Sequence, residues 1–146
     1  MTELPQVTIY TDGACEPNPG AGGWAALLLF GQHEKVLSGA EPSTTNNRME
    51  LTAAVRALKS LARPCRIGFH TDSEYLRRGI TEWLPGWRER GWKRKGGKLA
   101  NIDLWQELEA TLEGHEITWH WVRGHAGDRH NLRVDGLARK AMRNPP

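Results

Sequence analysis

Cysteine is scarce in these 146 residues, with only Cys15 and Cys65, and so are phenylalanine and tyrosine at two each. The longest apolar run, Trp24 to Phe30, is seven residues, against the roughly 20 that a bilayer-spanning helix needs. The first five residues, Met-Thr-Glu-Leu-Pro, carry no basic stretch followed by an apolar one, so no secretory signal is expected. The two cysteines stand 50 positions apart, with no spacing typical of zinc binding, and read as free thiols in a reducing cytoplasm. No repeat, linker or low-complexity segment is present. Membrane, secreted, collagen-like and zinc-scaffold classes are thereby set aside. What the chain does have is seven tryptophans, 38% hydrophobic residues and 25% charged ones. That composition and length suit a single domain over residues 1–146 with its own core.

Net charge is only +3, yet its distribution is uneven. Between Arg77 and Lys98 lie eight basic residues against two acidic ones, Glu82 and Glu89, which leaves the rest of the chain slightly acidic. Trp83, Trp87 and Trp92 interleave with Arg88, Arg90 and Lys93, and Gly91, Gly96 and Gly97 punctuate the second half. A basic run is ordinarily a solvated helix face, and Trp83 and Trp87, four apart, also fit the buried side of a short helix. Interleaved with glycine and tryptophan, the same charges form a handle for a polyanion, gaining free energy by counterion release from phosphates.

Val7, Ile9 and Thr11 alternate with polar positions and predict a strand ending at Thr11-Asp12-Gly13. Trp24 to Phe30 and Glu34 to Gly39 predict two more strands joined near Gly31. Thr44 or Thr45 can cap a helix whose apolar stripe is Leu51, Ala54, Val55, Leu58, Leu61 and Ala62, stopped by Pro64. A strand over Ile67 to Thr71 leads into a helix from Ser73. Ile102, Trp105, Leu108 and Leu112 mark another helix, and Ile117, Trp119 and Trp121 another strand. A loop, Gly124-His125-Ala126-Gly127, precedes a last helix with the stripe Val134, Leu137, Ala138 and Ala141. Three strands followed by alternating helix and strand make an α/β domain with a mixed sheet.

Two strands end alike, Thr-Asp-Gly at 11–13 and Thr-Asp-Ser at 71–73. Ligands in open α/β sheets gather beyond the carboxyl ends of strands, so Asp12 and Asp72 face each other there if the strands are parallel neighbours. Capping of the next turn is the plain alternative for each. Glu50, four residues before Ala54 and eight before Leu58, lies along the core-facing edge of its helix, where a lone carboxylate is costly unless paired. Asp135 occupies a similar edge of the last helix. Convergence of all four would bind protons or a metal, and oxygen-only ligands favour Mg²⁺ or Mn²⁺. Two such ions activate water and stabilise both oxygens of an in-line phosphodiester displacement. An acidic metal site beside a basic handle reads as a nuclease.

These residues resemble the ribonuclease H type 1 family, in its bacterial ribonuclease HI branch. The matching stretches are Tyr-Thr-Asp-Gly-Ala-Cys at 10–15, Asn-Pro-Gly at 18–20, Gly22-Gly23-Trp24, Thr-Thr-Asn-Asn-Arg-Met-Glu-Leu at 44–51 and Thr-Asp-Ser at 71–73. Further matches are Gly-Ile-Thr-Glu-Trp at 79–83, Arg-Gly-Trp-Lys at 90–93, Asp-Leu-Trp at 103–105 and Trp-Val-Arg-Gly-His-Ala-Gly at 121–127. The resemblance runs in order from about Val7 to Ala141. It implies a five-stranded mixed sheet, three antiparallel strands then parallel ones, flanked by helices. It further implies endonucleolytic cleavage of the RNA strand of an RNA–DNA hybrid with two Mg²⁺ or Mn²⁺ ions, leaving 5′-phosphate and 3′-hydroxyl ends.

By the same resemblance the metal-binding carboxylates are Asp12, Glu50, Asp72 and Asp135, and the mobile catalytic histidine is His125. Cys15, Asn18, Asn46, Asn47 and Glu74 fall along the RNA strand. Thr45 and Asn101 match a pocket for a DNA-strand phosphate, although each also reads as a helix-start residue. Residues 77–98 match a basic protrusion, with Trp83 beside the DNA strand and Trp87, Arg88, Arg90, Trp92 and Lys93 following it. The chain departs from the best-known bacterial members at Glu74 (Gln there), His70 (small and polar there), and Leu132 and Gly136 (Glu there), and at Pro42 and Ser43, which are less basic. A cytoplasmic monomer without an obligate protein partner is expected. A non-catalytic hybrid-binding module is the alternative, and a resolvase on the same scaffold a third; the intact carboxylate set and the Asn46-Asn47 pair favour the hybrid nuclease.

Overall fold

In the computed structural model, which describes residues 4–92, 100–122 and 128–146, five strands form one sheet. They are β1 (Gln6–Cys15), β2 (Gly20–Phe30), β3 (His33–Thr44), β4 (Arg66–Thr71) and β5 (Glu116–Trp121). Their spatial order is β3-β2-β1-β4-β5. The first three pair antiparallel, while β4 joins β1, and β5 joins β4, in parallel. This is the expected mixed sheet. Gly31, at φ +58°, makes the β2–β3 turn, a conformation open to glycine at little cost.

β1 does not stop at Thr11-Asp12-Gly13 as the sequence predicts. Its parallel ladder with β4 ends at Tyr10 opposite His70, but antiparallel pairing with β2 carries it on, Asp12 opposite Ala25 and Cys15 opposite Gly22. The edge at which Asp12 stands is therefore the end of the β1–β4 ladder, while β1 itself continues.

Helix α1 (Asn46–Lys59) starts at Thr45, whose hydroxyl accepts the Arg48 N–H at 3.2 Å. It ends short of Pro64, the stop expected from sequence: Leu61 and Ala62 lie beyond it, and the Ser60 hydroxyl donates to the Ala57 carbonyl at 2.7 Å. Ser60 offers the backbone a local partner, and that competes with continuing the helix. Its stripe of Leu51, Ala54, Val55 and Leu58 packs with Val7, Ile9, Ile67 and Phe69 on one face of the sheet, where α4 (Ile102–Leu112) adds Leu104, Trp105 and Leu108. Helix α5 (Arg129–Arg143) supplies Val134 against Tyr10 and Leu27. Alternation along β1 explains the split, Val7 and Ile9 packing with α1 while Tyr10 packs with α5.

Between β4 and α4 runs α2 (Glu74–Arg78), a π-helical turn (Gly79–Trp83) and α3 (Leu84–Glu89). Gly79 is required at that turn, because a Cβ there would lie 1.9 Å from the Trp105 ring. Among the described residues no helix is long and apolar enough to cross a membrane.

Candidate active site

Three elements deliver three carboxylates to one point. Asp12 sits on β1 where the parallel ladder ends, Asp72 immediately follows β4, and Glu50 lies in the second turn of α1. Each offers an oxygen within 4.8 Å of those of the other two. The approach of α1 depends on Gly13, where a Cβ would lie 2.6 Å from the Glu50 nitrogen and 2.7 Å from the Met49 carbonyl carbon. Asp135, on α5, stands near enough to Asp12 to help raise its pKa, but it is not part of the group whose oxygens lie within 4.8 Å of one another. A similar close approach sets α5: a Cβ on Gly23 would lie 2.4 Å from the Ala138 oxygen and 2.5 Å from the Met142 nitrogen. The two glycines let both helices come close to the sheet, bringing Glu50 into the trio with Asp12 and Asp72 while Asp135 stands outside it.

Burial makes this convergence costly. Asp12 is 5% exposed and Glu50 6%, and two carboxylates at such separations repel by about 3–4 kcal/mol at an effective dielectric near 20. Burial first, then the Asp72 charge and the Asp135 contact, raises Asp12 from its ordinary 3.8 to about 8, against the Gly13 N–H that donates to its Oδ1 at 2.9 Å. Burial and the charges of Asp12 and Asp72 likewise hold Glu50 well above the usual carboxylate range. Glu50 Oε2 is buried without a hydrogen-bond partner among the described residues. An all-oxygen donor set with an orphaned, buried carboxylate oxygen fits a hard divalent cation. Arg139, one turn on from Asp135, pairs with it at 3.2 Å and partly balances the fourth carboxylate.

Of the residues expected along a substrate, two share a cleft with the fourth carboxylate, Asp135. Cys15, Asn46, Asp135 and Arg139 line one cleft with Gly13 and Glu16. The Asn18 side-chain oxygen accepts the Asn46 N–H at 3.1 Å, which ties the loop after β1 to the start of α1. Asn47 is exposed. Thr45 does cap α1, but Asn101 does not cap α4 with its side chain. Instead Asn101 adopts φ +59°, a conformation costing about 1–2 kcal/mol for most residues and less for Asn. Its side chain turns to Arg48 and Tyr75.

Trp83, Trp87 and Trp92 are half-buried and join Tyr75 and Trp105 in one aromatic cluster, so packing accounts for much of their placement. Among the nearby arginines, Arg77 pairs with Glu74 at 2.8 Å, Arg78 with Glu82 at 3.2 Å and Arg88 with Glu109 at 2.7 Å. Arg90 pairs with no carboxylate among the described residues. His125 and Lys93 lie outside the described residues, as do Arg94, Lys95 and Lys98.

The departures have concrete settings. Glu74 is exposed beside Arg77, Leu132 is 52% exposed, and a Cβ at Gly136 would meet open space. His70 stacks between Tyr10 and His120 at 4.4 Å from each, and burial with the His120 charge lowers its pKa. Three residues escape a reading from sequence: Arg139, Arg48 and Tyr75. The four-residue step from Asp135 to Arg139 signals the first. Tyr75 reaches Asn101 across 26 residues, and no local pattern announces that.

A family model described as RNase H matches residues 5–143. The chain is 56% identical over 143 residues to the ribonuclease H of Bradyrhizobium diazoefficiens, covering 97% of this chain and 93% of that protein. It is 60% identical over 144 residues to that of Acidiphilium cryptum, covering 96% and 90%. The crystal structure of a type 1 ribonuclease H with the type 2 active-site motif superposes with a TM-score of 0.90 at 34% identity, over 100% of this chain and 76% of that one. A ribonuclease H1 crystallised with an RNA/DNA hybrid shares the fold at a TM-score of 0.68 and 21% identity, over 94% and 96%. Matched in sequence from residue 5 to 143 and in fold throughout, this chain belongs to the ribonuclease H family.

Proposed function

We propose that this chain, a nuclease by family, hydrolyses the RNA strand of RNA–DNA hybrids and leaves 5′-phosphate and 3′-hydroxyl ends. One observation carries the reading: Asp12, Glu50 and Asp72 meet within 4.8 Å, with a buried Glu50 oxygen that has no hydrogen-bond partner among the described residues. Asp12, Glu50, Asp72 and Asp135 hold two divalent cations in this reading, Mg²⁺ with Mn²⁺ as a substitute. When bound, these supply Lewis acidity, making water more acidic and screening charge that develops on the phosphodiester. Protonated carboxylates release their protons as the cations bind. His125 shuttles a proton or aids product release.

Hybrid recognition divides between the strands. Asn18, Asn46 and Asn47 offer both donors and acceptors, which suits the 2′-hydroxyl that separates RNA from DNA; Cys15 and Glu74 border the same strand. Thr45 and Asn101 take a DNA-strand phosphate. The protrusion from Arg77, with Trp83, Trp87, Arg88, Arg90, Trp92 and Lys93, follows the DNA strand through charge and packing. A binding module would gain nothing from four carboxylates that repel phosphates. The chain acts as a single-domain, cytoplasmic monomer.

The test offers one labelled RNA strand hybridised to DNA, hybridised to RNA, and alone, beside a DNA duplex, all with Mg²⁺. Cutting confined to RNA within the hybrid, abolished by chelator, is expected. Tight hybrid binding without cutting would favour the non-catalytic module instead.

A further inference from the structure

The Asn101 amide is held at both ends. Its Oδ1 accepts from Arg48 Nη1 at 3.2 Å, and its Nδ2 donates to the Tyr75 hydroxyl at 3.0 Å. A side-chain amide has two donor hydrogens and two acceptor lone pairs, so one N–H remains for another acceptor once these two bonds are made. Asn is among the preferred helix caps, yet this one forgoes capping α4 and takes a left-handed backbone. Local strain combined with a forgone cap marks a side chain placed for something other than the helix.

Tyr75 is itself immobilised. Its hydroxyl also accepts the Trp105 Nε1–H at 3.0 Å, and Trp105 is fully buried. Its ring lies 5.6 Å from Trp83 and 5.4 Å from Trp105. Arg48, the second holder, is clamped in turn by Asp103, with Nη1 to Oδ1 at 3.1 Å and Nη2 to Oδ2 at 2.8 Å. The acceptor that Asn101 leans on therefore sits on α2, half-buried and bonded to the buried Trp105 of α4 within the aromatic cluster.

We infer that Tyr75 is a positioning residue for the substrate: its hydroxyl fixes the Asn101 amide so that the remaining N–H presents itself to a DNA-strand phosphate without reorientation. The inference rests on the reading that Asn101 meets that strand. Preorganisation of this kind shows up in binding, because an amide fixed before the encounter loses less freedom during it. Tyr75→Phe keeps the ring but removes the hydroxyl, releasing the Asn101 amide on one side and also leaving the buried Trp105 Nε1–H without its acceptor. A thermal melt of each variant therefore accompanies the binding measurements and separates lost positioning from lost stability.

The experiment compares wild type, Tyr75→Phe, Asn101→Ala and the double variant. It measures kcat and KM with Mg²⁺, and Kd for an uncut RNA–DNA hybrid in chelator. Tyr75→Phe is expected to raise KM and Kd by roughly three- to tenfold, the effect of one hydrogen bond, with kcat unchanged. In the Asn101→Ala background it should add nothing. An unchanged KM in Tyr75→Phe beside a raised one in Asn101→Ala would overturn the positioning role. An equal Tyr75→Phe effect in both backgrounds would overturn it too, by showing another route. An unchanged KM and Kd in Asn101→Ala would instead overturn the DNA-strand reading, and the inference with it.

Discussion

Glu50 is 6% exposed, with one carboxylate oxygen unpartnered among the described residues, a setting that favours either the protonated acid or a bound cation. Asp12, raised to about 8 mainly by burial and by Asp72, shares that choice. The consequence for stability has a definite sign. A carboxylate whose folded pKa lies above its unfolded value binds more protons folded than unfolded, so stability falls as pH rises through the interval. His70, its pKa lowered from 6.5 by burial, works oppositely, its contribution being lost as pH falls below that value. In chelator, Tm should therefore drop by several degrees from roughly pH 6.5 to 8.5, and Asp12→Asn should flatten the decline. Thermal melts across that range decide it; a wild-type Tm constant or rising with pH would contradict the proposed proton-holding cluster.

At the scale of elements, α1 and α5 matter because they carry Glu50 and Asp135 up to the sheet, and Gly13 and Gly23 permit the approach. Gly136 on α5 has no such task, since a Cβ there would meet nothing within 4 Å. Gly136→Ala should stabilise the protein by about 0.5–1 kcal/mol through helix propensity, raise Tm in a denaturation experiment and leave cleavage intact; a drop in stability would show that the position has a neighbour after all. Such elements are legible in the sequence to different degrees. The stripe Leu51, Ala54, Val55 and Leu58 announces α1 because burial imposes a helical period, and Glu50 follows from that stripe. The end of α1 does not follow, because the Ser60 side chain settles it ahead of Pro64. Nor does the reach of β1, since only its partner β2 shows where pairing continues. Asn101 reads in sequence as a helix-start signal, and its alliance with Tyr75 and Arg48 exists only in three dimensions.

Across the whole chain, basic charge is concentrated in sequence between Arg77 and Lys98, apart from the positions of the clustered carboxylates Asp12, Glu50 and Asp72. Within that segment Arg77, Arg78 and Arg88 already face carboxylates, and exposed pairs of this kind contribute only about 0–1 kcal/mol. Their charges are thus partly offset, whereas Arg90 faces no carboxylate among the described residues. Neutralising Arg88, Arg90, Lys93 and Arg94 together should raise KM. It should also lower the slope of log K against log salt by roughly one unit for each phosphate no longer neutralised. Hybrid binding measured over a salt series checks this, and an unchanged slope would mean the segment is no phosphate handle.

In this reading the carboxylate cluster performs the hydrolysis while other surfaces hold the hybrid. Cleavage and binding of one RNA–DNA hybrid, measured side by side for wild type and Asp12→Asn, test that division of labour most directly. The variant is expected to lose turnover and to bind the hybrid at least as well, because the substitution removes charge from the metal site and leaves the phosphate-binding surfaces intact. Undiminished cleavage by Asp12→Asn would contradict it.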